Sequence, residues 1–200
     1  MSDLLKVKVG RSDYLCKWDD NIIYEFNINN FNIDTLKDGD RQWNITGSSI
    51  TLNKDHDGLV VNFVGGTKSY FDCTFPEFLE MDKFKLTYKA GTSSYLGYRS
   101  FFGYTLLSFT GSGSTVDAFW RRYNNSWSNV YPGQYAVPVT AEMIFTKNIN
   151  HFDVDITLNG TYLGDTQCDI CGDITHNIDY NGSSASGSIK IYELKIEKLK

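Results

Sequence analysis

The sequence has no apolar run near the roughly 20 residues that a membrane-spanning helix needs. Its opening, MSDLLKVKVG, has neither the apolar core nor the small-residue cleavage site of a secretory signal. That predicts synthesis in a reducing cytosol, with thiols rather than disulfides. Cysteines number 4 and prolines 3 in 200 residues, too few for a disulfide scaffold or a proline-rich linker. Basic residues are outnumbered, 19 Lys and Arg against 24 Asp and Glu; a net charge of −5 argues against nucleic acid as a partner. Membrane is excluded as a partner on the same reading. Aromatic residues are abundant at 15%, and 17 glycines supply turns. With 41% hydrophobic and 22% charged residues, the composition is that of a folded chain and excludes disorder, collagen-like repeats and coiled coil.

Helical periodicity is almost missing, and alternation takes its place. Phe84, Leu86 and Tyr88 alternate with polar residues, as do Phe152, Val154, Ile156 and Leu158. Shorter segments at 4–9, 21–28, 48–53, 58–64, 68–75, 104–109, 115–122 and 141–147 read the same way, separated by clusters of Gly, Asn, Asp and Ser. Many short strands so spaced predict a sandwich or barrel. Only PEFLEMDK (76–83) suggests helix, of one or two turns. Asn159-Gly160 predicts a two-residue type I′ hairpin, because both residues accept positive φ. In SIKIYELKIEKL the pair Ile189 and Ile191 is one position out of step with Leu194 and Ile196. A β-bulge near Tyr192–Glu193 would return all four to one face, and this long apolar strand should pair centrally. The polar stretch 27–47 divides residues 1–47, N-terminal strands packed on or exchanged with the core, from a sandwich over 48–200.

FKLTYKAGTSS (84–94), HFDVDITLNGTYLG (151–164) and GSIKIYELKIEK (187–198) together resemble the concanavalin A-like superfamily, laminin-G-type modules in particular. The resemblance spans roughly residues 50–198. It implies an all-β, two-sheet antiparallel jelly roll of the lectin and glucanase kind.

Four groups of residues could carry chemistry on such a sandwich. A glucanase strand of this superfamily carries ExDxxE, which this sequence lacks; Asp153 and Asp155 alternate with Phe152, Val154 and Ile156 and read as a solvated face. No catalytic residue is assigned. Asn53–Gly58 opens like a calcium-binding EF-hand loop, but its twelfth position is Val64 where a bidentate Glu belongs, so an Asp-Gly turn accounts for it. Cys168 and Cys171 form a CxxC that would need His176 with Cys16 or Cys73 to hold zinc; two thiols in a β-loop is the reading adopted, with no metal and no cofactor.

The fourth group is richer. FWRRYNNSWSNVYPGQY (119–135) sets Trp120, Tyr123, Trp127 and Tyr131 beside Arg122 and several Asn and Ser, and Tyr98 and Arg99 lie upstream. Aromatic faces stack on sugar C–H surfaces, Asn and Arg bond hydroxyls, and the same mixture dominates protein interfaces. These seven residues are the candidate ligand-binding set. With no catalytic constellation and an Asn-, Ile-, Tyr- and Phe-rich composition, the expected function is a non-enzymatic virion surface protein of bacteriophage type. It would be a capsid decoration, head fibre or adhesin, assembled in the host cytoplasm. Its expected partners are other virion proteins, its own copies in a symmetric homo-oligomer, and a host-surface glycan. The alternative is a stand-alone carbohydrate-binding module or glucanase-like hydrolase.

Overall fold

A computed structural model of the chain describes residues 5–9, 12–16, 21–47, 50–63, 69–92, 98–102, 105–110, 115–136, 138–178 and 187–200. In chain order the elements begin with β1 Leu5–Val9, β2 Ser12–Cys16, β3 Ile22–Glu25, β4 Lys37–Asp38, β5 Arg41–Gln42, β6 Asn44–Thr46, β7 Ile50–Asp55, β8 Gly58–Phe63 and β9 Tyr70–Thr74. A single helical turn, α1 Glu77–Glu80, precedes β10 Lys83–Thr92, β11 Tyr98–Phe102, β12 Thr105–Thr110, β13 Thr115–Tyr123 and β14 Ser126–Ala136. The chain closes with β15 Val139–Lys147, β16 Phe152–Leu158, β17 Thr161–Cys168, β18 Asp173–Ile178 and β19 Gly187–Lys198.

Two antiparallel sheets hold most of these strands. The first runs β17-β16-β15-β10-β19-β8-β7, with β3 also paired to β19; the second runs β14-β13-β12-β11-β18-β9-β6. β3 lies in the first sheet and β6 in the second, so residues 21–47 contribute to both. The β1–β2 hairpin pairs Leu5 with Cys16 and Val9 with Ser12, and it forms a two-stranded sheet of its own.

Alternation decides which side of each strand is dry. In β16, Phe152, Val154, Ile156 and Leu158 are buried while Asp153, Asp155 and Thr157 face outward. A stack of rings fills the space between sheets: Phe75 on Phe78 at 5.4 Å, Phe78 on Phe84 at 4.5 Å, and Phe84 on Phe145 at 4.8 Å. The turn of α1 delivers Phe78 to that stack, and Tyr88 of the first sheet meets Phe102 of the second edge-on at 4.7 Å.

The register anomaly in the last strand sits at the expected place. Lys89 pairs with Glu193 and Ala90 with Ile191, so Tyr192 is the extra residue. Ile189, Ile191, Leu194 and Ile196 are all buried as a result, and β19 is central, flanked by β10 on one side and by β8 and β3 on the other. Asn159 and Gly160 turn the β16–β17 hairpin with φ of 47° and 79°, as a type I′ turn requires. Residues 126–136, which are not among the alternating segments, are an eleven-residue strand. β14 lies at the end of its sheet, where a strand has one ladder partner and Pro132 is tolerated.

Candidate functional site

The seven residues picked out by the sequence fall on β11, β13 and β14 of the second sheet. Tyr98 pairs with Phe109 and Ile178, and Arg99 with Ser108 and Asn177. Trp120 pairs with Leu106 and Asn129, Arg122 with Trp127, and Tyr131 with Phe119. The backbone thus brings Trp120, Arg122, Tyr123, Trp127 and Tyr131 onto one hairpin, with Tyr98 and Arg99 beyond the intervening β12. The side chains of Tyr98, Arg99, Trp120, Trp127 and Tyr131 lie outside the described residues, as do those of Cys16 and His176.

The two described members of the set have intramolecular duties. Arg122 donates to Asn125 Oδ1 at 2.6 Å and lies 3.9 Å from the Asp169 carboxylate. Asp169 also accepts from the backbone N–H groups of Asn124 and Asn125, which turn the hairpin at φ of 50° and 62°, and its own N–H donates to the Arg122 carbonyl. Tyr123 meets the His151 ring edge-on at 5.6 Å, and the Arg121 guanidinium lies over the Tyr123 ring, 5.5 Å from its centre. Asp169 follows β17, so this cluster fastens the β13–β14 hairpin of one sheet to the edge of the other.

A second constellation, which the sequence did not disclose, lies on the outward face of the first sheet. A depression of about 390 Å³ crosses β10, β15, β16 and β17, and Lys85, Glu142, Ile144, Asp155, Thr157 and Tyr162 line it. The register makes the arrangement: Lys85 pairs with Ile144 and Ile144 with Asp155, while Glu142 pairs with Thr157 and Thr157 with Tyr162. Two adjacent rows of outward residues therefore form the floor. Tyr162 is 60% exposed, and its hydroxyl donates to Asp155 Oδ1 at 3.2 Å. Lys85 lies 3.6 Å from Glu142 and 3.0 Å from Glu197. Partial burial pulls the Glu197 carboxyl upward, but bonds from Lys195 and Lys85 outweigh it and hold the group below its ordinary range. The trough can present hydrogen-bond acceptors and one cation beside an open aromatic face. Alternation had marked Asp155 as outward, but nothing local in sequence reveals that residues 85, 142 and 162 are its neighbours.

The remaining motifs find structural places. Asp153 accepts from Asn148 and from Gln167 at 3.1 Å, and its Oδ1 lies 3.1 Å from His151 Nε2. The EF-like segment is the β7–β8 turn, where Lys190 of β19 bonds both Asp55 and Asp57; those hydrogen bonds hold both carboxyls below their ordinary range. Cys73 and Cys168 are buried thiols outside any disulfide, and burial pushes Cys73 up to about 12. Cys171 is a partly buried thiol 3.5 Å from Asp173. Among the described residues no three His, Cys, Asp or Glu side chains gather as a metal-holding group.

No protein-family model matches the chain, and no curated protein matches it. Solved structures do resemble it. Botulinum neurotoxin type C, whose cell entry depends on two ganglioside molecules, aligns at 12% identity over 90% of this chain and 49% of that one, with a TM-score of 0.55. The receptor-binding domain of botulinum neurotoxin D aligns at 11% over 90% and 50%, with a TM-score of 0.52. An endo-1,3-β-glucanase from Streptomyces sioyaensis aligns at 8% over 90% and 96%, with a TM-score of 0.55. The chain spans about half the length of the neurotoxin chains and nearly all of the glucanase. At such identities the likeness speaks for architecture alone. By its topology and its structural neighbours, the chain has the fold of a two-sheet antiparallel jelly-roll sandwich, concanavalin A-like in architecture.

Proposed function

We propose that this chain is a non-enzymatic glycan-binding domain, with the trough on the first sheet as its principal ligand site. The observation that carries the reading is Tyr162: a ring 60% exposed, oriented by its bond to Asp155, at the rim of a depression lined with carboxylates, a lysine and a threonine. An exposed aromatic face with fixed polar groups around it suits a pyranose, whose C–H face stacks while its hydroxyls bond to the rim. The test is a glycan array followed by calorimetry. The expected result is a saturable glycan ligand whose affinity falls about tenfold in Tyr162→Ala, the loss typical of a central aromatic anchor. Absence of any glycan ligand, or a Tyr162→Ala protein that binds as well as wild type, would overturn the assignment.

The proposed setting is the surface of a virion, where the domain would dock on the particle and display this face. Composition and the lack of a catalytic motif support that setting. The aromatic residues of β11, β13 and β14 form the proposed second, protein- or glycan-facing surface. The β1–β2 hairpin, which among the described residues pairs only with itself, is proposed to serve a symmetric homo-oligomer. Co-sedimentation with capsids tests the setting, and deletion of residues 1–20 should lower oligomeric mass while leaving the sandwich folded.

One observation favours hydrolysis as a second reading. Glu142 and Asp155 occupy diagonal positions on adjacent strands in the trough. Diagonal neighbours stand about 7–8 Å apart, inside the roughly 5–9.5 Å window of paired glycosidase carboxylates. Polysaccharide turnover abolished by Glu142→Gln or by Asp155→Asn would establish that reading over the first.

A further inference from the structure

A cleft of about 570 Å³ lies away from the trough, between β3, the β4–β5 hairpin and the corner leading into α1. Asp38 lines it although only 6% of that residue is exposed. Both hydrogen bonds to its carboxylate go to Oδ2, from the Tyr24 hydroxyl at 2.9 Å and the Asn27 N–H at 3.0 Å. Trp43 Nε1 donates in turn to the Tyr24 oxygen at 3.3 Å. Among the described residues nothing donates to Oδ1. Burial pushes this carboxyl up, against the bonds from Asn27 and Tyr24 and the charge of Lys54.

The terminal guanidinium nitrogens and the side-chain amides of the wall are already engaged. Arg41 places its two terminal nitrogens on Glu77, at 2.7 and 3.3 Å, and on the Thr74 carbonyl at 3.2 Å, with its guanidinium 4.5 Å from the centre of the Phe75 ring. The Gln42 amide nitrogen serves the carbonyls of Thr35, Leu36 and Trp43, and the Asn44 side chain bonds to Asp72. Two acceptors of the lining take no hydrogen bond among the described residues: Asp38 Oδ1 and the exposed Asp40 carboxylate. Three carboxylates, Asp38, Asp40 and Glu77, stand against one guanidinium, so the lining carries two net negative charges. The backbone around Asp38 is also held at a cost. Leu36 sits at φ 55°, in a region disfavoured for leucine, pinned by the Trp43 N–H on its carbonyl at 2.8 Å.

We propose that this cleft binds a primary ammonium group carried on an alkyl stem, the ammonium between Asp38 and Asp40 and the stem along Ile23 and Tyr24. An ammonium brings three donors and no acceptor, which complements a net negative wall where Asp38 Oδ1 and the Asp40 carboxylate are open. An anion would meet net negative charge. A neutral hydroxyl would leave that negative charge uncompensated, and a calcium ion would need six or more oxygens, whereas one of the three carboxylates, Glu77, is held by Arg41. The ammonium could belong to a free amine or to a lysine of a partner protein.

The test titrates the full chain with n-butylammonium chloride, with 1-butanol as the uncharged control, and with the peptide acetyl-Gly-Lys-Gly-amide beside its Nε-acetylated form. Saturable binding of n-butylammonium is expected, none of butanol, and weakening of about tenfold in Asp38→Asn, as loss of a charge-assisted bond implies. Asp40→Asn should weaken binding severalfold, and because Asp40 is exposed this variant carries the test if Asp38→Asn fails to fold. Tyr162→Ala should leave amine binding unchanged, which separates this site from the trough. Tighter binding of the lysine peptide than of n-butylammonium would identify a protein partner, and the reverse a free amine. No saturable binding, equal binding of butanol, or wild-type affinity in both aspartate variants would overturn the proposal.

Discussion

Replacing Gly58 by alanine should destabilise the protein through one contact. A Cβ at this position would lie 2.5 Å from the backbone carbonyl oxygen of Ile191 and 3.2 Å from its carbon. Ordinary contact begins near 3.4 Å, so the strands must separate by roughly 0.9 Å. Neither side yields easily. Ile191 sits in β19, gripped by β10 and β8 and immediately before the bulge at Tyr192, while Gly58 opens β8 against the same strand. Overpacking costs about 1–3 kcal/mol, and the upper part of that range applies where backbone must move. At about 2–4 °C per kcal/mol for a chain of this length, the melting temperature should fall by about 5–10 °C. Gly39→Ala is the control. No atom lies within 4 Å of a Cβ there, yet φ is +58°, so only the left-handed backbone penalty of about 1–2 kcal/mol applies. Gly39→Asn should recover part of it, whereas Gly58→Asn should be worse than Gly58→Ala. Thermal and urea unfolding followed by circular dichroism would measure all four. A Gly58→Ala protein within about 0.5 kcal/mol of wild type, the range of a neutral surface change, would refute the close approach of β8 to β19.

Further outcomes follow from the buried polar groups. Tyr24→Phe removes a donor to Asp38 and the acceptor of Trp43 Nε1, and should cost about 1–3 kcal/mol in urea unfolding. Asp38 has a folded-state pKa above its unfolded value of about 3.9. It therefore binds its proton more tightly when folded, and its contribution to stability declines as pH rises from the unfolded pKa through the folded one. Asp38→Asn should flatten that decline, and a pH–stability curve unchanged by the substitution would count against the burial of this carboxyl. Iodoacetamide at neutral pH should spare Cys73 and Cys168 until the protein unfolds, because both are buried and the Cys73 thiol is pushed up to about 12. Asp153→Asn with Asp155→Asn should leave the fold intact, both residues facing outward, and calorimetric unfolding checks it.

Much of the sandwich was legible because a half-buried strand must alternate. The faces of 152–158, the Asn-Gly hairpin and the phase change at Tyr192 are each encoded within a dozen residues, since pleat and turn geometry depend only on sequence neighbours. Edge strands escape that logic. Residues 126–136 carry no clear alternation because a strand with one ladder partner has no two-sided burial to advertise, and pairing with β13 makes it a strand. The candidate sites are further removed still. Lys85, Glu142, Asp155 and Tyr162 become neighbours solely through the registers of four strands, and Arg41 meets Glu77 across a separation of 36 residues. On the aromatic hairpin, too, the contacts of Arg122 with Asp169 and of Tyr123 with His151 join residues far apart in the sequence. Local periodicity is a property of the chain and was readable from it; which side chains share a depression depends on how distant strands align, and only the tertiary structure decides that.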